Sequence, residues 1–357
     1  MTISTEVNKP VQDTEEILQV GVVGCGLIGR RRAQVAVEAK NAQLVAVADV
    51  DAVAAENVTE VIGAWSTTRW QEIVDDPAID VVVVATPNKF LMPVSVAALQ
   101  NGKHVLCEKP PGRNASETRQ MAVAAQENDR VLKAGFNHRY HPAVWRAHEL
   151  LEAGEIGEVM YGRAVYGHGG RPGYDQEWRA TADLSGGGEM LDQGVHIVDL
   201  FRWFMGEFST VLATAGTYYW SLGSFENGRQ LEDNAFAMLQ TEQGQIAQLH
   251  TSWTQWKNRF SFEIFGQKGY FSIDGLGGSY GVETLTLGRR RPESGPPIIE
   301  EFVFKGPDDS WKLEWTDFSN AILNGGQPLS NGDDALRTME VIGAFYESTA
   351  SAGSVKL

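Results

Sequence analysis

Two short stretches carry side chains suited to chemistry. In "GGGEMLDQGVHIVDLFRWF" (186–204), Asp192 and His196 stand four apart and Asp199 follows three residues later. On an α-helix that spacing lines one face, where a carboxylate orients an imidazole. Taking hydride from a carbinol requires a base for the hydroxyl proton, and histidine, with a reference pKa of about 6.5, suits that task. The same spacing also suits a solvent-exposed pair. Gly186, Gly187 and Gly188 permit close backbone approach just before it. The second stretch is "HVLCEKPPG" (104–112), an apolar run that delivers Glu108 and Lys109 side by side and is then stiffened by Pro110 and Pro111.

A third motif lies near the start. "VGVVGCGLIGRR" holds Gly24, Gly26 and Gly29 in the spacing G-x-G-x-x-G, with Leu27 and Ile28 between the last two. Such glycines allow a tight turn, close approach of a pyrophosphate and packing of helix on strand. The phosphates then rest on a helix N-terminus, where free N–H groups and the dipole favour anions. Asp49 ends the next strand, placed to accept hydrogen bonds from an adenosine ribose. A carboxylate there repels a 2′-phosphate, so NAD is expected over NADP, although Arg30, Arg31 and Arg32 keep NADP open. "VVATPN" ends another strand with Thr86, Pro87 and Asn88 at the carboxyl edge of the sheet, where open α/β folds bind ligands. By the same logic Glu108 and Lys109 are expected at the lip of a cofactor crevice.

The elements that would hold these motifs fall into two groups. Apolar runs at 18–24, 43–49, 80–87, 103–107 and 131–136 alternate with helical stretches such as 90–101 and 115–128. That alternation predicts βαβ units and a parallel, doubly wound sheet. After His141–Pro142 the pattern becomes a helix at 143–153, a half-exposed strand, and strands near 208–220, 234–241, 245–253, 259–266, 269–274 and 299–304. Short glycine-containing turns join many of them, which predicts an antiparallel sheet. Helices over 311–324 and 333–350 close the chain, and 288–297 reads as an exposed loop. The expected division is a loose tail over 1–17, a Rossmann domain over 18–140 and an α+β domain over 141–357, an α/β plus α+β fold class.

With 357 residues, 43% hydrophobic and 21% charged, the chain is long enough for two domains with sizeable cores. A net charge of −16 argues against a nucleic-acid partner, whose phosphates need a basic surface. No apolar run reaches a membrane span, and the first residues lack the basic and apolar regions of a signal peptide. The two cysteines, Cys25 and Cys107, offer no disulfide framework and favour a reducing cytoplasm. His138, His141 and His148 lack a matching acid or thiolate cluster, so no metal is expected. Tyr174, Trp178, Arg179, Trp253 and Trp256 have side chains that stack on sugar rings, although tryptophans more often serve a core or interface.

Taken together, "GVVGCGLIG", "VVATPN", "GKHVLCEKP", "GFNHRYHP" and the Asp192–His196 stretch resemble, in order, signatures of the Gfo/Idh/MocA oxidoreductases, and so does the closing "FSNAILNGGQPLSNGDDALRTMEVIGAFYES". The resemblance spans about 18–357. It implies a Rossmann domain followed by an α+β domain whose open sheet covers the active site and mediates oligomer contacts, in a homodimer or homotetramer. It implies further that Lys109 contacts the reacting hydroxyl and tunes the proton relay, that His196 is the general acid/base, and that Asp192 orients the ring or holds a hydroxyl. Asn137 and Arg139 are expected to reach cofactor or substrate, whereas Asp199 is expected to be structural. Two departures are Leu91, where the family often has histidine, and the double proline after Lys109. The function so implied is hydride transfer between NAD and a hydroxyl or carbonyl of a sugar, cyclitol or sugar derivative. Two alternatives are an NAD-retaining glycoside hydrolase or lyase using transient oxidation, and a dinucleotide-binding sensor. A sensor has no need of a proton relay.

Overall fold

The computed structural model describes residues 16–60 and 63–357. All but the last two residues of the expected tail lie outside that range. The described chain divides into two compact units. The first runs to Gly135 and takes in Trp311–Leu336, and the second comprises Phe136–Ser310 and Arg337–Leu357.

In the first unit the order is β1 (Leu18–Val23), α1 (Leu27–Glu38), β2 (Ala42–Ala48), α2 (Ala52–Thr59), β3 (Trp65–Thr67), α3 (Trp70–Asp75), β4 (Val81–Val84), α4 (Asn88–Gln100), β5 (His104–Cys107), α5 (Ala115–Glu127) and β6 (Leu132–Ala134). The six strands form one parallel sheet in the order β3-β2-β1-β4-β5-β6, which is doubly wound. Both faces are covered, so the strands carry continuous apolar runs. Val81–Val84 are all buried, and each such side chain stabilises by roughly 1.5–3 kcal/mol. Asn114 starts α5 by accepting the N–H of Glu117 at 3.0 Å.

The second unit adds α6 (Pro142–Glu152), β7 (Val159–Gly167), α7 (Ala182–Ser185), α8 (Val195–Met205), β8 (Phe208–Gly216), β9 (Asn234–Thr241), β10 (Ile246–Ser252), β11 (Arg259–Gly266), β12 (Gly269–Asp274), β13 (Glu283–Arg289), β14 (Ile298–Phe304) and β15 (Val355–Lys356). Its nine-stranded sheet runs β14-β13-β12-β11-β7-β10-β9-β8-β15. The sheet is mixed: β7 pairs parallel with β10 and antiparallel with β11. Strand β13 is absent from the sequence reading, although "ETLTLGR" alternates as a one-face-buried strand does, and the expected loop begins only beyond Arg289.

Two helices close the chain, α9 (Ser310–Asn324) and α10 (Gly332–Ser351). Assigning everything after residue 140 to the second domain is corrected here. Trp311, Trp315 and Phe318 of α9 pack in one core cluster with Val20, Val22, Val81, Val83 and Leu106, inside the first unit.

Two half-buried histidines make the stability pH-dependent. His104 accepts the Val131 N–H at Nδ1, and His148 stacks on Trp203 at 3.9 Å. Burial, aided by Arg130 for the first and Arg139 for the second, pushes both down to about 4. An unfolded chain takes up these protons near pH 6.5 while the folded one does so only near 4, so stability is lost as pH falls through that window. Melting temperatures at pH 7 and 4.5 are expected to differ less in a His148→Phe variant than in the wild type. Equal drops would show that this imidazole does not contribute.

Candidate active site

At the carboxyl edge of the parallel sheet the first unit gathers most of the nucleotide-binding residues anticipated from the sequence. The strand order reverses between β1 and β4, and Gly24–Gly29, Asp49, and Thr86–Asn88 follow β1, β2 and β4. Gly24 has φ +97°, a left-handed conformation that favours glycine. A Cβ on Gly29 would lie 1.7 Å from the Gly24 carbonyl oxygen, so helix and turn meet only because that atom is missing. Gly26 caps α1 with no side-chain hydrogen bond and no acidic residue in the first turn, leaving the helix N-terminus suited to an anion. Gly26 and Leu27 are exposed there, Ile28 half-buried.

Asp49 is fixed twice. Its Oδ2 accepts the Cys25 N–H at 2.6 Å and its Oδ1 the Asp51 N–H at 2.9 Å. Thr86 Oγ1 is buried with no hydrogen-bond partner among the described residues. An open helix start, a held carboxylate beside it and an unsatisfied hydroxyl at the next strand end fit a dinucleotide. Asn88 is buried at the start of α4, with Pro87 half-buried before it.

Glu108 departs from expectation. It is 5% exposed and turned inward, where its Oε1 accepts from Arg32 at 2.6 Å. Arg32 in turn reaches Glu314 of α9 at 2.5 Å. Arg32 is therefore neither part of an exposed basic face nor placed for a 2′-phosphate, whereas Arg30 and Arg31 are exposed. Lys109 follows, half-buried, ahead of a cis Lys109–Pro110 bond, and its N–H donates to Glu108 Oε2 at 3.2 Å.

In the second unit a π-helical turn, Met190–Gly194, leads into α8. A regular α-helical face over 192, 196 and 199 is thus replaced by a wider turn at its start, a feature frequent at functional sites. His196 is buried and its ring stacks on His138 at 3.7 Å with an interplanar angle of 21°. His138 Nε2 lies 3.2 Å from the Tyr166 hydroxyl, and Gln193 Nε2 donates to the Tyr280 hydroxyl at 3.1 Å. Tyr166 and Tyr280 are in ring contact, with centroids 5.5 Å apart. Burial, with Asp192 and Glu189 contributing, holds both phenols up, so they remain proton donors. Asp192 is half-buried, 3.5 Å from Arg179 Nε, and Arg179 lies over the Trp178 ring at 4.5 Å.

Other candidates have structural partners. Arg139, 2% exposed, makes a two-pronged ion pair with Asp199 at 2.8 and 2.6 Å, so those donors are engaged inside the unit. Asn137 donates to Ser310 Oγ at 3.0 Å. His141 sits 3.0 Å from Glu283, and Trp253 is fully buried. Tyr166 and Tyr280 escaped sequence reasoning because tertiary packing, which no local pattern encodes, brings a residue of β7 beside residue 138 and one of the turn before β13 beside residue 193. Among the described residues no group of three or more metal-ligating side chains gathers, and no helix is long and apolar enough to cross a membrane.

A doubly wound sheet with a glycine turn at its switch point, joined in one chain to a large open sheet whose helix carries a buried histidine, defines a dinucleotide-dependent oxidoreductase. Residues 18–136 match the profile of an oxidoreductase family with an NAD-binding Rossmann fold, and residues 144–272 match the GFO/IDH/MocA C-terminal domain. The chain is 30% identical to 1,5-anhydro-D-fructose reductase of Ensifer adhaerens over 94% of its own length and 98% of the relative's. It is 29% identical to levoglucosan dehydrogenase of Pseudarthrobacter phenanthrenivorans, covering 80% and 82%. The crystal structure of aldose–aldose oxidoreductase from Caulobacter crescentus, complexed with glycerol, superposes with a TM-score of 0.83 at 26% identity, covering 96% and 100%. The chain belongs to the Gfo/Idh/MocA family and is an NAD(P)-dependent oxidoreductase.

Because two backbone N–H groups hold the Asp49 carboxylate in place, it cannot turn away from a 2′-phosphate. NAD is expected to exceed NADP in kcat/KM, and Asp49→Ala to narrow the ratio on the order of tenfold or more. An NADP preference in the wild type would mean that Arg30 or Arg31 outweighs this charge.

Proposed function

We propose that the protein oxidises a secondary or hemiacetal hydroxyl of a sugar, cyclitol or sugar derivative, and runs the reverse reduction. The observation that carries this reading is the polar cluster of the second unit, where buried His196 meets the rings of His138 and Tyr166, Tyr166 meets Tyr280, and Asp192 lies beside Arg179. Phenols kept protonated donate to hydroxyl oxygens, and Asp192 accepts from hydroxyl protons. Trp178, with its ring beside Arg179, offers a stacking face for a pyranose. The relatives named above are a reductase, a dehydrogenase and an aldose–aldose oxidoreductase, which supports net redox chemistry over NAD-retaining hydrolysis or elimination.

When bound, the dinucleotide supplies the hydride acceptor. The chain's own residues then handle the proton. His196 takes it from the substrate hydroxyl as general base, Lys109 stabilises the oxygen that loses it, and Asp192 orients substrate or imidazole. Gly24, Gly26, Leu27, Ile28 and Gly29 cradle the pyrophosphate, Asp49 the ribose, and Thr86, Pro87 and Asn88 the middle of the dinucleotide.

Purified protein screened against polyols, aldoses and nucleotide sugars is expected to form NADH with at least one class. His196→Ala and Lys109→Ala are expected to lower single-turnover rates by about 10²–10⁴-fold while NADH still binds. A near wild-type rate in either variant removes that residue from the mechanism.

The proposed assembly is a homodimer or homotetramer built on the outer face of the nine-stranded sheet. On adjacent strands Tyr161, Leu212, Phe236, Met238 and Ile246 are all exposed. Pairing places Met238 opposite Leu212 and Ile246 opposite Tyr161, two apolar pairs on one face with Gln240 and Gln248 between them. A sheet face of this kind pairs with its own copy in a two-fold contact. Light scattering is expected to give at least the dimer mass, and a monomer mass independent of dilution would sink the idea. The reducing cytoplasm is the proposed setting, consistent with Cys25 and Cys107 being buried free thiols.

A further inference from the structure

The first N–H groups of a helical stretch find no partner within it. In the second unit the stretch that carries Asp192 and His196 starts at Glu189, which makes no side-chain cap. Its leading N–H groups are met from elsewhere in the chain. Gly188 N–H and Met190 N–H both donate to Glu232 Oε1, at 3.2 and 3.1 Å, and Glu189 N–H donates to the Glu232 carbonyl oxygen at 2.9 Å. Tyr346 of α10 donates its hydroxyl to the same Oε1 at 2.8 Å. Glu232 is 3% exposed.

The glycines before the stretch make room for this arrangement. A Cβ on Gly188 would lie 2.1 Å from the Glu232 carbonyl oxygen, and one on Gly187 would lie 2.2 Å from the Tyr346 hydroxyl. Burial pushes the Glu232 carboxyl above its usual range, an effect that the bonds from Tyr346 and Met190 only partly offset.

From this geometry we infer that Glu232, locked by Tyr346, is a positioning residue that fixes the register of the π-helical turn and so the placement of Asp192 and His196. A π-turn holds one residue more than the α-helical turn it replaces and persists only where its surroundings favour it. Were the turn to relax to α-helical register, Asp192 would rotate relative to His196. An acceptor clamped on the N–H groups of residues 188 and 190 opposes that relaxation, and a carboxylate at a helix start is favoured by the dipole. The inference rests on His196 being the base.

The test compares Glu232→Met, Glu232→Gln and Tyr346→Phe with His196→Asn. Glu232→Met removes the acceptor and is expected to lower kcat on the order of 10²-fold, as small misplacements of catalytic groups do, with NADH affinity unchanged. Glu232→Gln keeps an acceptor oxygen and is expected to restore most of that loss. Tyr346→Phe is expected to lower kcat in the same direction by less. Wild-type kcat in folded Glu232→Met overturns the inference, as does Glu232→Gln being impaired equally. If Glu232→Met does not fold, an unchanged kcat in Tyr346→Phe overturns it. A fully active His196→Asn would instead overturn the reading on which it rests; an inactive His196→Asn beside an active Glu232→Met sinks the capping role alone.

Discussion

The guanidinium of Arg32 holds the first unit's chemistry in place. It is 3% exposed and bridges two carboxylates far away in sequence, Glu108 beyond β5 and Glu314 of α9, each at about hydrogen-bond length. Buried charges are tolerated only when fully paired, and removing one partner leaves an uncompensated charge that costs about 3–5 kcal/mol. The Trp311 ring covers the Arg32 guanidinium at 4.4 Å. A Cβ on Gly135 would come within 2.9 Å of Arg32 and 3.1 Å of Glu108, so even the residue after β6 is shaped by this cluster. Glu108 also takes the N–H of Lys109. Lys109 therefore leaves the sheet from a backbone anchored to α1 and α9.

The second unit solves the same problem with different parts. Its helix is started by a side chain from a neighbouring segment, and its histidine is walled by rings from other elements: His138 before α6, Tyr166 on β7 and Phe136 at 6.0 Å. Arg139 and Asp199 tie the segment before α6 to α8. Both units thus carry polar side chains on elements whose ends are pinned by buried, charge-assisted bonds, which limits how far those side chains move.

How much of this was legible depended on sequence distance. The glycine turn, Asp49 and Thr86–Asn88 follow from local pattern, because turn, strand end and helix start are set by neighbouring residues. Arg32 was grouped with Arg30 and Arg31 as a residue that keeps NADP open, although it is buried. The helical period offered a correction, since Gly29, Ala33, Val35 and Ala36 are the other buried positions of α1 and Arg32 falls on the stripe of Gly29, Ala33 and Ala36. Nothing local announces the partners of Glu314, Glu232 or Tyr280. Their roles arise from pairings across dozens to hundreds of residues. Strand β13 was missed for a weaker reason: its threonines soften an alternation that the burial pattern makes plain.

The return of α9 to the first unit bears on synthesis. Trp311, Trp315 and Phe318 complete one apolar face of the parallel sheet, and Glu314 completes the pairing of Arg32. A chain emerging from the ribosome through residue 135 has all six strands of that sheet but lacks these groups. That face then has α1 and α2 but lacks the α9 part of its cover, and Arg32 has only one of its two carboxylates. The nucleotide-binding half is made first and finished almost last, so it must wait through translation of the whole second sheet.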